Sequence, residues 1–271
     1  MKRNVILLLI SIGVLLTIGQ AFAAPAPIAY WKFDEGSGAT VADSVGSNDA
    51  TLVDGTWSSD VPVVPFTNLH SISLDGIDDY ILRNGVVTTA TDNVTLAAWV
   101  KWQGPNNAAG IQAVVYNGDT ATSGYGIYMG NDGTVSILTG GVTFIGTDIT
   151  LTVDNKWHHL AAERNSGTWL IYLDGVQQNV TSANTATPNV PSGNLTIGAR
   201  TAGGEFFHGL VDDVRIYDQA LSDADIQALI TVTAVKAVPA INPWGIVIFA
   251  LMAGFGSFYR LKRSAKKQNA S

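Results

Sequence analysis

Between Ala29 and Tyr217 the chain is written in short strand-like runs separated by turn signals, and only one helical pattern stands out. That is an all-β signature. The segment Gly209 to Leu221, GLVDDVRIYDQAL, has the period of a half-buried strand, with Leu210, Val214 and Ile216 on one face against Asp213, Arg215 and Tyr217 on the other. Asp212 interrupts it. It falls in the apolar column, where a bare carboxylate is costly and needs a backbone donor, an arginine or a cation. Asp174-Gly175, between WLIYL and VQQNV, predicts a tight hairpin because its turn positions need positive φ. Asn131-Asp132-Gly133, between YGIYM and TVSIL, predicts another with one more turn residue. A third strand pair is expected around Asn194 to Ala199, leading through the glycine loop at Thr201 to Gly204 into the closing strand. The helical exception, SDADIQALI from Ser222, offers a Ser N-cap, Asp225 three residues on, and Leu221 with Ile226 as a hydrophobic staple.

Six segments stand in order: AYWKFDEGSG (Ala29 to Gly38), SISLDGIDDYI (Ser71 to Ile81), VTLAAWVKW (Val94 to Trp102), KWHHLAAER (Lys156 to Arg164), WLIYLDGV (Trp169 to Val176) and the closing strand GLVDDVRIYDQAL. Together they resemble the laminin-G-like (LamG) jelly roll, a concanavalin-type β-sandwich. The resemblance implies fold and a binding role, with the domain spanning residues 24–230.

The ends read differently. Residues 1–23 have a basic start at Lys2 and Arg3, an apolar run and a small-residue site ending at Ala23, which predicts a secretory signal cut by a bacterial signal peptidase. Residues 231–240 read as a linker, 241–261 as a membrane helix with Trp244 and Tyr259 at its interfaces, and 262–271 as a basic cytoplasmic end. This tail resembles the IPTL-CTERM class of bacterial sorting signals at Val238-Pro239 and Trp244-Gly245, and departs from it at Pro243, where an acidic residue is expected. The resemblance implies a membrane sorting protease. The domain is expected outside the inner membrane, held by one span or released or attached to the surface after cleavage.

Charge narrows the partners. All 22 acidic residues lie between Asp34 and Asp225, against eight Lys and Arg between Ala24 and Pro239, a net of minus fourteen that disfavours nucleic acid and anionic surfaces. Without cysteine there is no thiolate chemistry and no Cys-ligated zinc. The glutamates Glu35, Glu163 and Glu205 are far apart, the E-x-D-x-x-E strand pattern of sandwich-type glucanases is absent, and alternation sends the neighbours of Asp78-Asp79 and Asp212-Asp213 to opposite faces. The same alternation separates His158 from His159 and denies them a shared metal.

Calcium takes six to eight oxygens from turns. The loop DSVGSND supplies Asp43, Asn48 and Asp49, is similar to a family loop, and is completed on this reading by Asp212 or Asp213; an ordinary hydrogen-bonded turn is the equal alternative. Sugar recognition needs aromatic platforms and amides in loops, for which Trp102, Asn106 and Asn107, and Tyr125 with Asn131, are the candidates. The expectation is an exported, non-catalytic module binding a carbohydrate or an extracellular protein. The alternatives are a structural or adhesive surface protein without a small ligand, and, more remotely, a polysaccharide hydrolase.

Overall fold

The computed structural model describes residues 25–106, 108–200 and 203–231. The predicted signal segment with Ala23, and the tail with Val238, Pro239, Trp244 and Gly245, lie outside the described residues. Among the described residues no helix is long and apolar enough to cross a membrane. In chain order the strands are β1 (Ala29–Trp31), β2 (Thr40–Val41), β3 (Ala50–Val53), β4 (Thr56–Ser58), β5 (Ser71–Asp75), β6 (Tyr80–Arg83), β7 (Val94–Trp102), β8 (Ile111–Gly118) and β9 (Tyr125–Gly130). They continue as β10 (Thr134–Thr139), β11 (Thr143–Thr150), β12 (His158–Asn165), β13 (Thr168–Leu173), β14 (Val176–Gln178), β15 (Asn194–Ile197) and β16 (His208–Tyr217), followed by α1 (Asp223–Ile230). One sheet has the order β14-β13-β12-β7-β16-β5-β4, with β1 also on β16, and the other β11-β10-β9-β8-β15-β6-β3-β2.

Strand alternation builds the core. In β7, Leu96, Ala98, Val100 and Trp102 point inward and meet Tyr125, Ile127 and Met129 of β9 and Val135 and Ile137 of β10 in one cluster shared by both sheets. Trp31 and Trp169 are fully buried there. Each indole N–H finds a backbone carbonyl, Asn48 O and Ala186 O respectively, both at 2.9 Å.

Both predicted hairpins form. Asp174 (φ 49°) and Gly175 (φ 76°) give the two positive-φ residues between Leu173 and its partner Val176. In the three-residue turn Gly133 (φ 87°) closes onto Gly130 O at 2.9 Å. The third expected pair is corrected. β15 lies between β8 and β6 in the second sheet, whereas β16 belongs to the first.

The closing strand departs most from its expected pattern. Val211 faces Val100 and Asp212 faces Trp99, but Arg215 then faces Ala97, so the strand holds one extra residue. This is a β-bulge with Asp213 at φ 49°. Parity flips across it. Val211, Val214 and Ile216 enter the core, whereas Leu210 stands opposite Lys101 outside it, so Asp212 is not in the apolar column. Asp212, Asp213, Arg215 and Tyr217 all serve the outer face, where residues 59–70 form a strap. The Asn68 amide donates to Asp212 Oδ2 at 2.8 Å, Asp60 pairs with Lys101 at 2.6 Å, and Phe66 packs edge-on against Tyr30.

α1 covers the same outer face further along, where Leu221 and Ile226 join Tyr172 and Tyr217 in a second cluster. The capping box is complete: Ser222 accepts from Asp225 N, and Asp225 accepts from Ser222 N. In the second sheet, the edge strand β11 is covered by residues 179–182. Thr181 N donates to Gly146 O at 2.8 Å and Thr147 bridges Val180. Replacing Ser222 with Ala should cost about 1 kcal/mol and lower the Tm by roughly 2–4 °C in a thermal melt.

Candidate functional site

Five loops gather at one end of the sandwich, and three of them enclose a groove of about 340 Å³. Its walls are Gly76 and Ile77 from the β5–β6 loop, Asn106, Ala108 and Ala109 from the β7–β8 loop, and Gly204, Glu205 and Phe206 ahead of β16. The volume sits at the small end of ligand sites. Gly76 (φ 78°) permits the close approach, since a Cβ there would lie 2.7 Å from His208 Cβ and 3.0 Å from Asn106 Cβ. The Asn106 amide donates to Asp75 O at 2.6 Å, and His208 Nδ1 meets Gly104 O at 3.0 Å. Buried Gln112 braces the floor, accepting from His208 N at 3.0 Å and donating to Asn131 Oδ1 at 3.2 Å.

The lining is part apolar and part polar. Ile77 is 60 % exposed, and the half-buried Phe206 ring packs against Tyr80 with centroids 6.3 Å apart. Glu205 accepts from Tyr128 Oη at 3.0 Å and pairs with Arg200 at 3.6 Å. Beside the groove the carboxylates of Asp75, Asp78 and Asp79 bring oxygens within 4.8 Å of one another. Burial, followed by the charges of Asp75, Asp78 and Asp54, pushes the Asp79 pKa up, while the Asp75 N–H opposes the shift.

The residues expected to bind sugar are divided by the structure. Asn106 is exposed on the groove, and Asn131 is half-buried at the same end. Asn107 lies outside the described residues. Trp102 and Tyr125 are corrected: they are 6 % and 0 % exposed, inside the shared core, because their positions fall on the inward parity of β7 and β9. Ile77, Asp75 and Phe206 are not among the sequence candidates, and Glu205 and Asp78-Asp79 enter there only as carboxylates without an acid/base partner. Their signals were LDGIDD, with three aspartates around one glycine, and the aromatic pair that follows Gly203-Gly204.

The DSVGSND loop folds without convergence on the closing strand. Asp43 Oδ1 accepts from Tyr30 N (3.0 Å) and Val45 N (3.1 Å), and its Oδ2 accepts from Asn48 N (3.0 Å) and Asn48 Nδ2 (2.9 Å). Burial works against ionisation of Asp43, but these donors outweigh it and hold the pKa below the usual value. Asp49 accepts from Asp43 N at 2.9 Å. The whole Tyr30 side chain separates this loop from the bulge, for its backbone N–H binds Asp43 while its hydroxyl binds Asp213. Asp43, Asn48 and Asp49 therefore do not join Asp212 or Asp213 in one ligand set.

Asp212 and Asp213 belong instead to a buried polar layer on the outer face. His159, Trp99 and Asp212 lie opposite one another across β12, β7 and β16, and Arg215 stacks 4.2 Å above the Tyr30 ring. Burial, then the neighbouring charge of Asp213, pushes Asp212 up to about 8 despite donors from Asn68 and Asp213 N. Burial, then Arg215, pushes His159 down to about 3. His158 points away to Asp174 at 2.9 Å, and that hydrogen bond raises its pKa, so the two histidines do not share a ligand. Glu35 holds Ala42 N, Glu163 holds Tyr172, and Glu205 holds Tyr128, each with a separate set of partners.

The chain matches the family model described as the concanavalin A-like lectin/glucanases superfamily over residues 75–227. Among proteins of curated function none matches it in sequence. Similar solved structures include Trypanosoma rangeli sialidase with the inhibitor DANA (15 % identity, TM-score 0.56, 77 % of this chain and 33 % of that one). Another is domain 4 of AbnA, a GH43 extracellular arabinanase from Geobacillus stearothermophilus, in complex with arabinotriose (16 %, TM-score 0.57, 76 % and 98 %). A third is the binding domain of Paraclostridial Mosquitocidal Protein 1 (14 %, TM-score 0.58, 75 % and 51 %). The chain thus spans about a third of the sialidase. At these identities the likeness is one of fold.

Two outcomes follow from the geometry. Asp43→Ala strands four donors and should cost about 2–4 kcal/mol, read as a lowered Tm in a thermal melt. Asp212 keeps its proton in the fold up to about pH 8, whereas the unfolded chain releases it near pH 4, so this group's contribution to stability declines as pH rises between those values. His159 acts oppositely, and only below its ordinary pKa of about 6.5. Melts between pH 6.5 and 8 should therefore fall with pH in the parent and less in Asp212→Asn, by up to about 1.4 kcal/mol per pH unit.

Proposed function

As a member of the concanavalin A-like lectin/glucanase superfamily, the chain is one that we propose acts as a non-catalytic carbohydrate-binding module, with the groove between the β5–β6, β7–β8 and β15–β16 loops as its site. The observation that carries this reading is that one cleft is lined both by apolar side chains, Ile77 and Phe206, and by the amide of Asn106 and the carboxylate of Glu205. A sugar ring has an apolar face and a hydroxyl rim, and such a cleft offers a partner to each. The arabinanase domain in complex with arabinotriose supports the class of ligand by analogy of fold alone.

A binding role is favoured over hydrolysis by the state of the carboxylates. Asp212 and Asp213 share a face, but they lie fully buried beneath the strap. Glu163 lies under α1, where Tyr172 meets both it and Asp223. Within the groove Glu205 is tied to Tyr128 and Arg200, and of the flanking carboxylates Asp75 accepts from Ile77 N and Asp79 from Asp75 N, so each is held by structural hydrogen bonds and not set as an acid/base pair. On this reading the predicted signal and tail serve export and envelope attachment, with signal peptidase and a sorting protease as processing partners.

The test is a glycan array with the purified protein, followed by titration of the hits against Phe206→Ala and Asn106→Ala. Loss of the ring should weaken binding by about 1–2 kcal/mol, roughly ten- to thirtyfold, and reducing-sugar release should stay at background. An array without hits would favour the structural or adhesive alternative. Turnover abolished by Glu205→Gln would establish a hydrolase.

A further inference from the structure

The groove has a pronounced electrostatic sign. Glu205 lines it, and the exposed Asp75 and Asp78 flank it from the same loop as Ile77, with the less accessible Asp79 between that loop and β6. Asp54 adds a fourth aspartate within electrostatic reach of Asp79. Against five carboxylates stands one guanidinium, Arg200, already 3.6 Å from Glu205. Asn106 is hydrogen-bonded to the backbone carbonyl of Asp75, which ties the β7–β8 loop to the acidic loop. Gly76 and Ile77 line the groove and are the chain neighbours of Asp75 and Asp78, so these charges stand next to a ligand seated there, and charge acts over about 8 Å at physiological salt.

Resting on the carbohydrate-binding reading above, we propose that this groove selects glycans bearing free, protonated amino groups and rejects those bearing carboxylates. An ammonium on the sugar gains attraction from Asp75, Asp78 and Glu205, and offers donors to carboxylates that have little opposite charge beside them. A uronic or sialic acid meets like charge at the same distance and loses its hydration there. The ring contact with Phe206 is common to all three sugar types, so charge decides among them.

The experiment compares oligomers of equal length, in chelator, by isothermal titration: glucosamine, its N-acetylated counterpart and galacturonic acid. The glucosamine oligomer should bind about tenfold more tightly than the neutral one at low salt. That advantage should shrink as salt is raised, and the Asp75→Asn/Asp78→Asn double variant should reduce it to within about twofold. The uronic acid should not bind. Equal or tighter binding of the acidic oligomer, an amine preference that survives in the double variant, or binding that appears only when calcium is added would overturn the proposal. Neutral binding that depends on Phe206 without any amine preference would overturn this inference alone, whereas silence from all three oligomers in a folded protein would remove the carbohydrate-binding reading beneath it.

Discussion

The pairing of β16 with three strands, β7 along one edge and β5 then β1 along the other, is the constraint on which the rest of the molecule depends. It lies between β7 and β5 and also accepts β1, so the N-terminal strand, the long central strand and the strap's exit strand all register against it. The bulge at Asp212 and Asp213 lets one strand do this with Val211, Val214 and Ile216 still in the core. Its consequence is a layer of charge on the outer face that water does not reach. Asn68, Tyr30 and Arg215 partner that layer, and the strap and Phe66 seal it. A buried ionisable layer of this kind is stable only while its roof is in place.

The sequence was most legible where local chemistry decides the backbone. Asp174-Gly175 demanded positive φ twice and received it, and Ser222 with Asp225 announced a capping box before an apolar run. It was least legible where one residue changes parity. The alternation of GLVDDVRIY placed Leu210 with Val214, because a bulge has no signature that alternation can register; Asp213 at φ 49° is a conformation aspartate tolerates but does not advertise. Adjacent aspartates expected on opposite faces consequently share one. The same limit applies at Asp78-Asp79, where a turn rather than a strand brings the carboxylates together.

The site follows a different logic from the core. Trp102 and Tyr125 have the chemistry of sugar platforms, but their strands spend them on packing. Phe206 and Ile77 have less distinctive neighbours and stand in loops that meet only after both sheets are closed. No spacing along the chain links position 77 to 106 or 206. Only the topology does, by ending β5 and β7 and starting β16 at one rim. The sandwich itself is similar to those in a sialidase, an arabinanase and the binding domain of a mosquitocidal protein, a likeness of fold that leaves the chemistry of the rim to this chain's own loops.

The covering of β11 by residues 179–182 bears on how this domain can be displayed. An eight-residue edge with open N–H and C=O groups would invite a neighbouring copy to add its own strand, and the remaining edge strands, β14, β4 and β2, are only two or three residues long. With Thr181 on Gly146 O and Val180 on Thr147, that invitation is withdrawn. Copies crowded side by side would then meet through side chains and loops, leaving each domain individually folded even at high local concentration.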